Sequence, residues 1–507
     1  MLRRRFLQNS AVLGGGLAIP LTTTGQAGST DTNALRIPPL LTGTMERGRR
    51  RYALTMQSGN SEFFSGVTTP TLGLNGDFLG PTLRLRRNEQ VTLSVNNTLN
   101  EPSTLHWHGL HVPAVADGGP HQVIEAGTQW DANFLVDQDA GTFWYHSHLE
   151  RHTGEQVYRG LAGMLQIEDE NSSSLELPAE YGVDDIPVIL QDRNFNADGS
   201  FRYTASRMDS MLGLFGNTIM VNGTINPHFI PTTRRVRFRV LNGSNARTYN
   251  LSFSDNREMQ QIACDGSFLE SPIAMRRLEL APGERCEIVA DFSDGRPVDL
   301  MSLPIDADSP FRTIGMMANM HTMNQQRFHI MAIRPQSNLA ASPTVPSLLT
   351  SLPPLEPDSA DRLRQFTLTM SMGMGRMGRG GGGGGRGMGG MGGMGSMFAI
   401  NGKAMDMNRI DERVPVGSTE IWEISNESMM MHPFHIHHGQ FRIISNNNRA
   451  WPAHEHAYKD TVKVGPGQTV RVLMKFEDYA DPERPYMYHC HILEHEDAGM
   501  MGQFVVE

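Results

Sequence analysis

The stretch His489-Cys490-His491-Ile492-Leu493-Glu494-His495-Glu496-Asp497-Ala498-Gly499-Met500 holds three histidines, a cysteine and a methionine within twelve residues. In an extended strand, alternation turns His489 and His491 to one face and Cys490 to the other. One tripeptide can then serve two metal sites back to back. Cys490, His495 and Met500 follow at steps of five. A thiolate, an imidazole and a weak axial thioether need only a second imidazole to make a blue-copper electron-transfer site.

Three further histidine clusters share this chemistry: His106-Trp107-His108, His146-Ser147-His148 and His432-Pro433-Phe434-His435-Ile436-His437. On a strand each His-x-His pair puts both imidazoles on one face. Neutral imidazole is a good copper ligand. His435 and His437 share a face, which leaves His432 for another site. A lone His-x-His is ordinary strand text. Four clusters holding ten of the chain's 19 histidines are not. Zinc does not account for the Cys–His–Met spacing beside extra histidine pairs.

The elements that must position these residues read as strands. Apolar residues alternate in Thr82–Arg86, Gln90–Val95, Arg235–Leu241 and Thr469–Met474, between turns rich in Gly, Pro, Asn and Asp. Helical periodicity is scarce, so the fold class is all-β sandwiches or barrels. Leu83–Val91 recurs loosely at Ile230–Arg237 and Arg413–Ile421, each before Asn-rich text. This repeat, and a length that suits about three to five domains, imply several related units. We expect sandwich domains at 45–170, 180–335 and 360–507, a flexible lead-in at 28–44 and a linker at 336–359. The third domain carries an insertion, Met370–Met397, that alternates methionine with glycine around the run Gly380–Gly385. Such glycine content cannot specify a packed element, so the insertion is expected to be disordered.

The first residues read as an export signal. Arg3-Arg4-Arg5-Phe6-Leu7-Gln8 precedes the apolar run Ala11–Leu21, which is shorter than the ~20 residues that span a bilayer. Paired arginines before x-Phe-Leu resemble a bacterial twin-arginine signal, expected over 1–27 with cleavage near Ala27. Its loss removes three arginines and no acids, taking the formal charge from −10 to −13. The expected mature protein is periplasmic and monomeric, without stable membrane insertion, and was handled by the twin-arginine machinery. An acidic balance argues against a nucleic-acid partner. Cys264 and Cys286 lie in one expected domain and either pair as a disulfide or stay as buried thiols.

Taken together, the four motifs and their order resemble the multicopper oxidases, and within them the bacterial periplasmic cuprous oxidases of copper tolerance. The resemblance implies three cupredoxin-like Greek-key domains and four coppers per chain. By motif position it implies a type 1 copper on His432, Cys490 and His495 with Met500 axial. It puts a type 2 copper on His106 and His435, and a type 3 pair on His108, His146, His148, His437, His489 and His491. Electrons from a donor would enter at type 1 and pass through Cys490 to His489 and His491, and dioxygen would be reduced to water at the trinuclear cluster. Asp117 and Glu496 match acid positions expected to relay protons.

The methionines bear on the donor. Thioether sulfur suits Cu(I), and of the chain's 32 methionines 15 fall in Met370–Met397, Met316–Met323 and Met429-Met430-Met431. Cu(I) is the first expected donor, with Met430, Glu427, Met388, Met391 and Met394 as candidate contacts. By the same resemblance, Ser428 stands where an acid is expected in cuprous oxidases of this type. Laccase-like oxidation of phenols or aromatic amines is the second reading. A non-enzymatic alternative is a copper-binding protein or a cell-division scaffold. Such scaffolds are expected to have lost their copper ligands, whereas every ligand position is filled here.

Overall fold

A computed structural model describes residues 33–203, 206–306, 309–315, 326–371, 397–447 and 451–507. The expected export signal, the Met316–Met323 group and Met388, Met391 and Met394 of the insertion lie outside the described residues.

Six sheets pair into three β-sandwiches in chain order, each around its own apolar core. The alternation read from sequence is most direct in the third domain. Strand Thr419–Asn426 buries Glu420, Trp422, Ile424 and Asn426, and Thr469–Lys475 buries Val470, Val472 and Met474. The two strands pair antiparallel in register, Trp422 opposite Val472. Their inward side chains join Phe366, Phe434 and Phe504 in one cluster. Burial of this kind contributes roughly 25 cal/mol per Å² of apolar surface.

The second domain departs from simple alternation. Arg235–Asn242 turns Val236, Phe238 and Val240 into the core, yet its other face is buried as well. Arg237 and Arg239 lie under the first domain, where Glu287 takes both guanidinium groups. Asp185 bonds Arg239 at 2.7 Å, and Thr142 of the first domain bonds Glu287 at 2.7 Å.

The lead-in expected over 28–44 is corrected from residue 33 onward. Asn33–Ala34 pairs parallel with Pro227–Phe229 of the second domain, and Leu40–Leu41 with Thr82–Arg86 of the first. Residues 336–359 form a strap: Ala340 bridges Thr233, and the Leu349 amide donates to the Glu270 carbonyl at 2.9 Å. Cys264 and Cys286 are both free and buried, so of the two readings the thiol pair holds. The Met/Gly insertion leaves from Arg362–Met370 and returns through Phe398–Ile400. Its base is closed by the Ser371 amide on the Met397 carbonyl at 2.7 Å. Among the described residues, no helix is long and apolar enough to cross a membrane.

Two antiparallel pairings place the donors. In the first domain, His106–His108 lies beside Gly141–His146, with His146 opposite His106. In the third, His432–Ile436 lies beside Asp481–Cys490, with His435 opposite His489 and Phe434 opposite Cys490.

Candidate metal centre

Each His-x-His pair does present both rings to one interior space. The first and third domains meet there ring against ring: His106 stacks on His437 at 3.8 Å and His108 on His435 at 3.7 Å. Eight histidines, none more than 2% exposed, close around this space.

Their outer nitrogens fix which nitrogen faces inward. His106 Nδ1 donates to the Asp117 carbonyl at 2.9 Å and His435 Nδ1 to the Asp460 carbonyl at 2.8 Å. A carbonyl can only accept, so each Nδ1 carries the proton and each Nε2 lone pair points inward. Among the described residues both Nε2 atoms are buried without a hydrogen-bond partner, as are both ring nitrogens of His491. Buried polar atoms without partners are rare and point to an additional ligand.

The six remaining histidines separate into two triads, a division that sequence did not supply. His108, His146 and His491 form one, and His148, His437 and His489 the other. In the second, His489 Nε2 lies 3.2 Å from His148 Nε2 and 3.3 Å from His437 Nε2. Asp117 Oδ2 accepts from His437 Nδ1 at 2.8 Å, and Glu496 sits at ion-pair distance, 3.1 Å from His489 Nδ1 and 3.3 Å from His148 Nδ1. Asp117 and Glu496, expected as proton relays, both lie beside the histidine donors.

On the other side of the same strand, His432, Cys490 and His495 form a separate buried trio. His432 Nδ1 is 3.3 Å from Cys490 Sγ and from His495 Nδ1, and Cys490 Sγ is 3.6 Å from His495 Nδ1. Met500 is fully buried beside them, its carbonyl accepting from the Cys490 amide at 3.0 Å. Phe398, just beyond the insertion, stacks on the His495 ring at 4.2 Å. Ser428 Oγ bonds His432 Nε2 at 2.8 Å, and the Met211 carbonyl accepts from His495 Nε2 at 3.3 Å.

Burial sets the protonation of both sites. It pulls His432 and His491 down to about 3. It pulls His148 to about 4, against the opposing charge of Glu496. His108, His146, His435 and His437 fall well below the ordinary value for the same reason, reinforced by neighbouring histidines. All are neutral at pH 7 and ready to ligate. Burial pushes the Cys490 thiol up, so its thiolate form needs a bound cation.

The donor chemistry fits copper. One soft Cys–His₂ trio with a methionine and two imidazole triads beside a further imidazole pair suit that metal. The remaining substrate candidates are placed less directly. Glu427 is exposed, whereas Met430 is 1% exposed within the third core. Asn426 Nδ2 and Ser428 Oγ both donate to the Met430 carbonyl, and the turn they close folds its side chain inward. Met429 is half-buried beside Gly315. Sequence reasoning missed Asp460, Arg285, Phe398 and Met211. Each sits in ordinary strand, turn or helix text, with no spacing signal linking it to the histidines.

Multicopper oxidase family models match residues 55–172, 181–299 and 388–507. A multicopper oxidase of Staphylococcus haemolyticus is 36% identical over 90% of this chain and 89% of its own length. A cell division protein, FtsP, of Dickeya dadantii is 34% identical over 100% of this chain and 98% of its own. The laccase-like multicopper oxidase CueO of an Ochrobactrum species, with oxidase activity towards lignin model compounds, superposes with a TM-score of 0.81 at 35% identity. That match covers 93% of this chain and 100% of the other. Matches of this extent, on a chain whose donor sets are complete, show that it belongs to the multicopper oxidase family, oxidoreductases that carry four coppers of types 1, 2 and 3.

Proposed function

We propose that this chain is a periplasmic cuprous oxidase, exported by the twin-arginine route, that couples oxidation of Cu(I) to Cu(II) with reduction of dioxygen to water. The observation that carries the oxidase reading is the His489-Cys490-His491 strand end, with one buried donor trio on one side and the histidine triads on the other. The bound coppers supply one-electron transfer at the first site and four-electron reduction of dioxygen at the second.

The chain's own residues serve this in three ways. Cys490 and its two histidine neighbours join the sites through a few covalent bonds. His489 Nδ1 also lies 3.1 Å from the Cys490 carbonyl, which shortens the path. His432, Cys490, His495 and Met500 are assigned to type 1, and His106 and His435 to type 2. The triads His108–His146–His491 and His148–His437–His489 are assigned one to each type 3 position. Asp117 Oδ1, buried and without a hydrogen bond among the described residues, is assigned to hold and pass a proton, and Glu496 to do so beside His148 and His489.

Two features favour Cu(I) as donor. Met429-Met430-Met431 leads directly into His432, and the methionine-rich insertion returns through Phe398, which stacks on His495. Glu427 is exposed, Met429 half-buried and Met430 buried, so the first two are the more accessible candidates. Met388, Met391 and Met394 would capture Cu(I) from solution. The second reading, oxidation of phenols, is favoured by the laccase-like CueO relative. A role in cell division, which the relatives named cell division protein would suggest, or as a non-enzymatic scaffold is disfavoured by the complete donor sets.

Oxygen uptake by the copper-loaded protein separates these readings. Cu(I) and a phenol are compared in the intact chain and in one lacking residues 373–395. Cu(I) oxidation that falls sharply on deletion, while phenol oxidation holds or rises, supports the cuprous reading. Equal Cu(I) rates in both would reduce the insertion to a spacer, and no uptake with either donor would refute the oxidase.

A further inference from the structure

The two halves of the trinuclear site are held by a matching pair of aspartates. Asp117, in the first domain, accepts from its own domain's His106 through its carbonyl and from the third domain's His437 through its carboxylate. Asp460, in the third domain, accepts from its own His435 through its carbonyl and from the first domain's His108 through its carboxylate. The match breaks at one place. Among the described residues no arginine bonds Asp117, and its Oδ1 makes no hydrogen bond, with His106 Nδ1 3.5 Å away. Both oxygens of Asp460 are gripped by Arg285 of the second domain, at 2.7 and 2.6 Å.

We infer that the second domain, which supplies none of the histidine donors, sets the donor atom of His108 through an Arg285–Asp460 clamp. Arg285 is fully buried. Its Nε donates to the Thr142 carbonyl at 3.0 Å, one Nη1 hydrogen to Gly283 at 3.1 Å and one Nη2 hydrogen to Asp265 at 3.2 Å. With the two bonds to Asp460, all five guanidinium donors are satisfied, so the fork has a single orientation. Gly109, directly after His108, makes room for it. Its φ is +85°, and a Cβ there would overlap Asp460 Oδ2 and lie 2.9 Å from Arg285 Nη2.

The clamp has a chemical consequence at His108. Asp460 Oδ1, 2.9 Å away, accepts from Nε2, so Nδ1 carries the lone pair and faces His146 Nε2 at 3.4 Å. The other trinuclear histidines whose outer nitrogen makes a hydrogen bond turn Nε2 inward. Asp460 and Arg285 are thus positioning residues: they hold one ring of the His108–His146–His491 triad in the flipped orientation.

The clamp rests on the trinuclear reading, and its test separates the two. Selectively labelled, metal-free protein is read by imidazole nitrogen NMR, with His108 identified by its loss in His108→Gln. Copper-loaded protein is challenged with a chelator while blue type 1 absorption and the remaining copper are followed. Wild type should show the Nε2–H tautomer at His108. Arg285→Gln and Asp460→Asn should mix the tautomers and lose trinuclear copper at about 10–100-fold lower chelator concentration, with blue absorption unchanged. Arg285→Lys keeps the buried charge without the fork. It should show the same selective loss to a smaller degree, and it carries the test where the other variants do not fold. Unchanged tautomer and copper retention in the folded variants would overturn the clamp. So would loss of type 1 copper in parallel, which marks a general structural role. Wild-type protein that takes up copper only at the type 1 site would overturn the trinuclear reading itself.

Discussion

His111, three residues beyond His108, ties the first domain to the third with a bond that should switch with pH. Its Nδ1 lies 3.1 Å from Asp137 of its own domain and its Nε2 2.9 Å from Asp478 of the third. His438 and Tyr479 pack against the ring at 5.0 and 4.8 Å. Burial alone would lower the pKa of His111, but hydrogen bonds to Asp137 and Asp478 raise it to about 9. His438 is pulled to about 3 by burial and adds no charge at neutral pH. The folded value lies above the unfolded value of about 6.5. The stabilisation is therefore complete below pH 6.5 and is lost as pH rises through 9. At about 1.4 kcal/mol per unit, the ceiling is about 3 kcal/mol. Asp478 is 47% exposed, and screening by water should reduce this to about 1–2 kcal/mol. His111→Gln removes the charge and keeps hydrogen-bonding groups. In urea unfolding of the metal-free proteins, the variant should be less stable than wild type at pH 6, and the two should converge at pH 9.5. A stability difference of the same size at both pH values would refute the argument.

Three further outcomes follow from the donor geometry. Cys490→Ser should lower copper from four to three per chain, abolish blue absorption and stop donor oxidation, because a hydroxyl is a poor soft ligand; copper analysis and spectroscopy check this. Phe398→Ala removes a fully buried ring from the face of His495, and should cost about 3–5 kcal/mol in thermal or denaturant unfolding while broadening the type 1 spectrum. Gly283→Ala should weaken copper retention in chelator competition, since φ is +83° and the added Cβ would lie 2.9 Å from the His491 ring.

The donors were legible because the chemistry repeats at strand spacing. Two imidazoles at i and i+2 must share a face wherever the strand goes. The sandwich class was legible for the same reason: Thr469–Lys475 has one solvent-facing side and shows it in its alternation. Arg235–Asn242 has the same pattern, yet Arg237 and Arg239 are buried, because the covering surface belongs to another domain. The strands at Asn33–Ala34 and Leu40–Leu41 are too short for a local signal, and their partners lie far along the chain. Cys264 and Cys286 were undetermined because geometry, not spacing, decides a disulfide. Asp460 was illegible for a further reason. An acid at a strand edge looks like any turn acid until the fold brings His108 and Arg285 to it from two other domains. The division of six histidines into two triads is likewise a property of the interface between the first and third domains.

The central claim is that one buried Cys–His trio feeds a histidine-lined site that reduces dioxygen to water. The most direct measurement is the ratio of donor oxidised to dioxygen consumed by the copper-loaded protein, with peroxide assayed in the same vessel. Four donor equivalents per dioxygen, no released peroxide and no turnover in Cys490→Ser are expected. Two equivalents with peroxide accumulating, or undiminished turnover without Cys490, would contradict the claim.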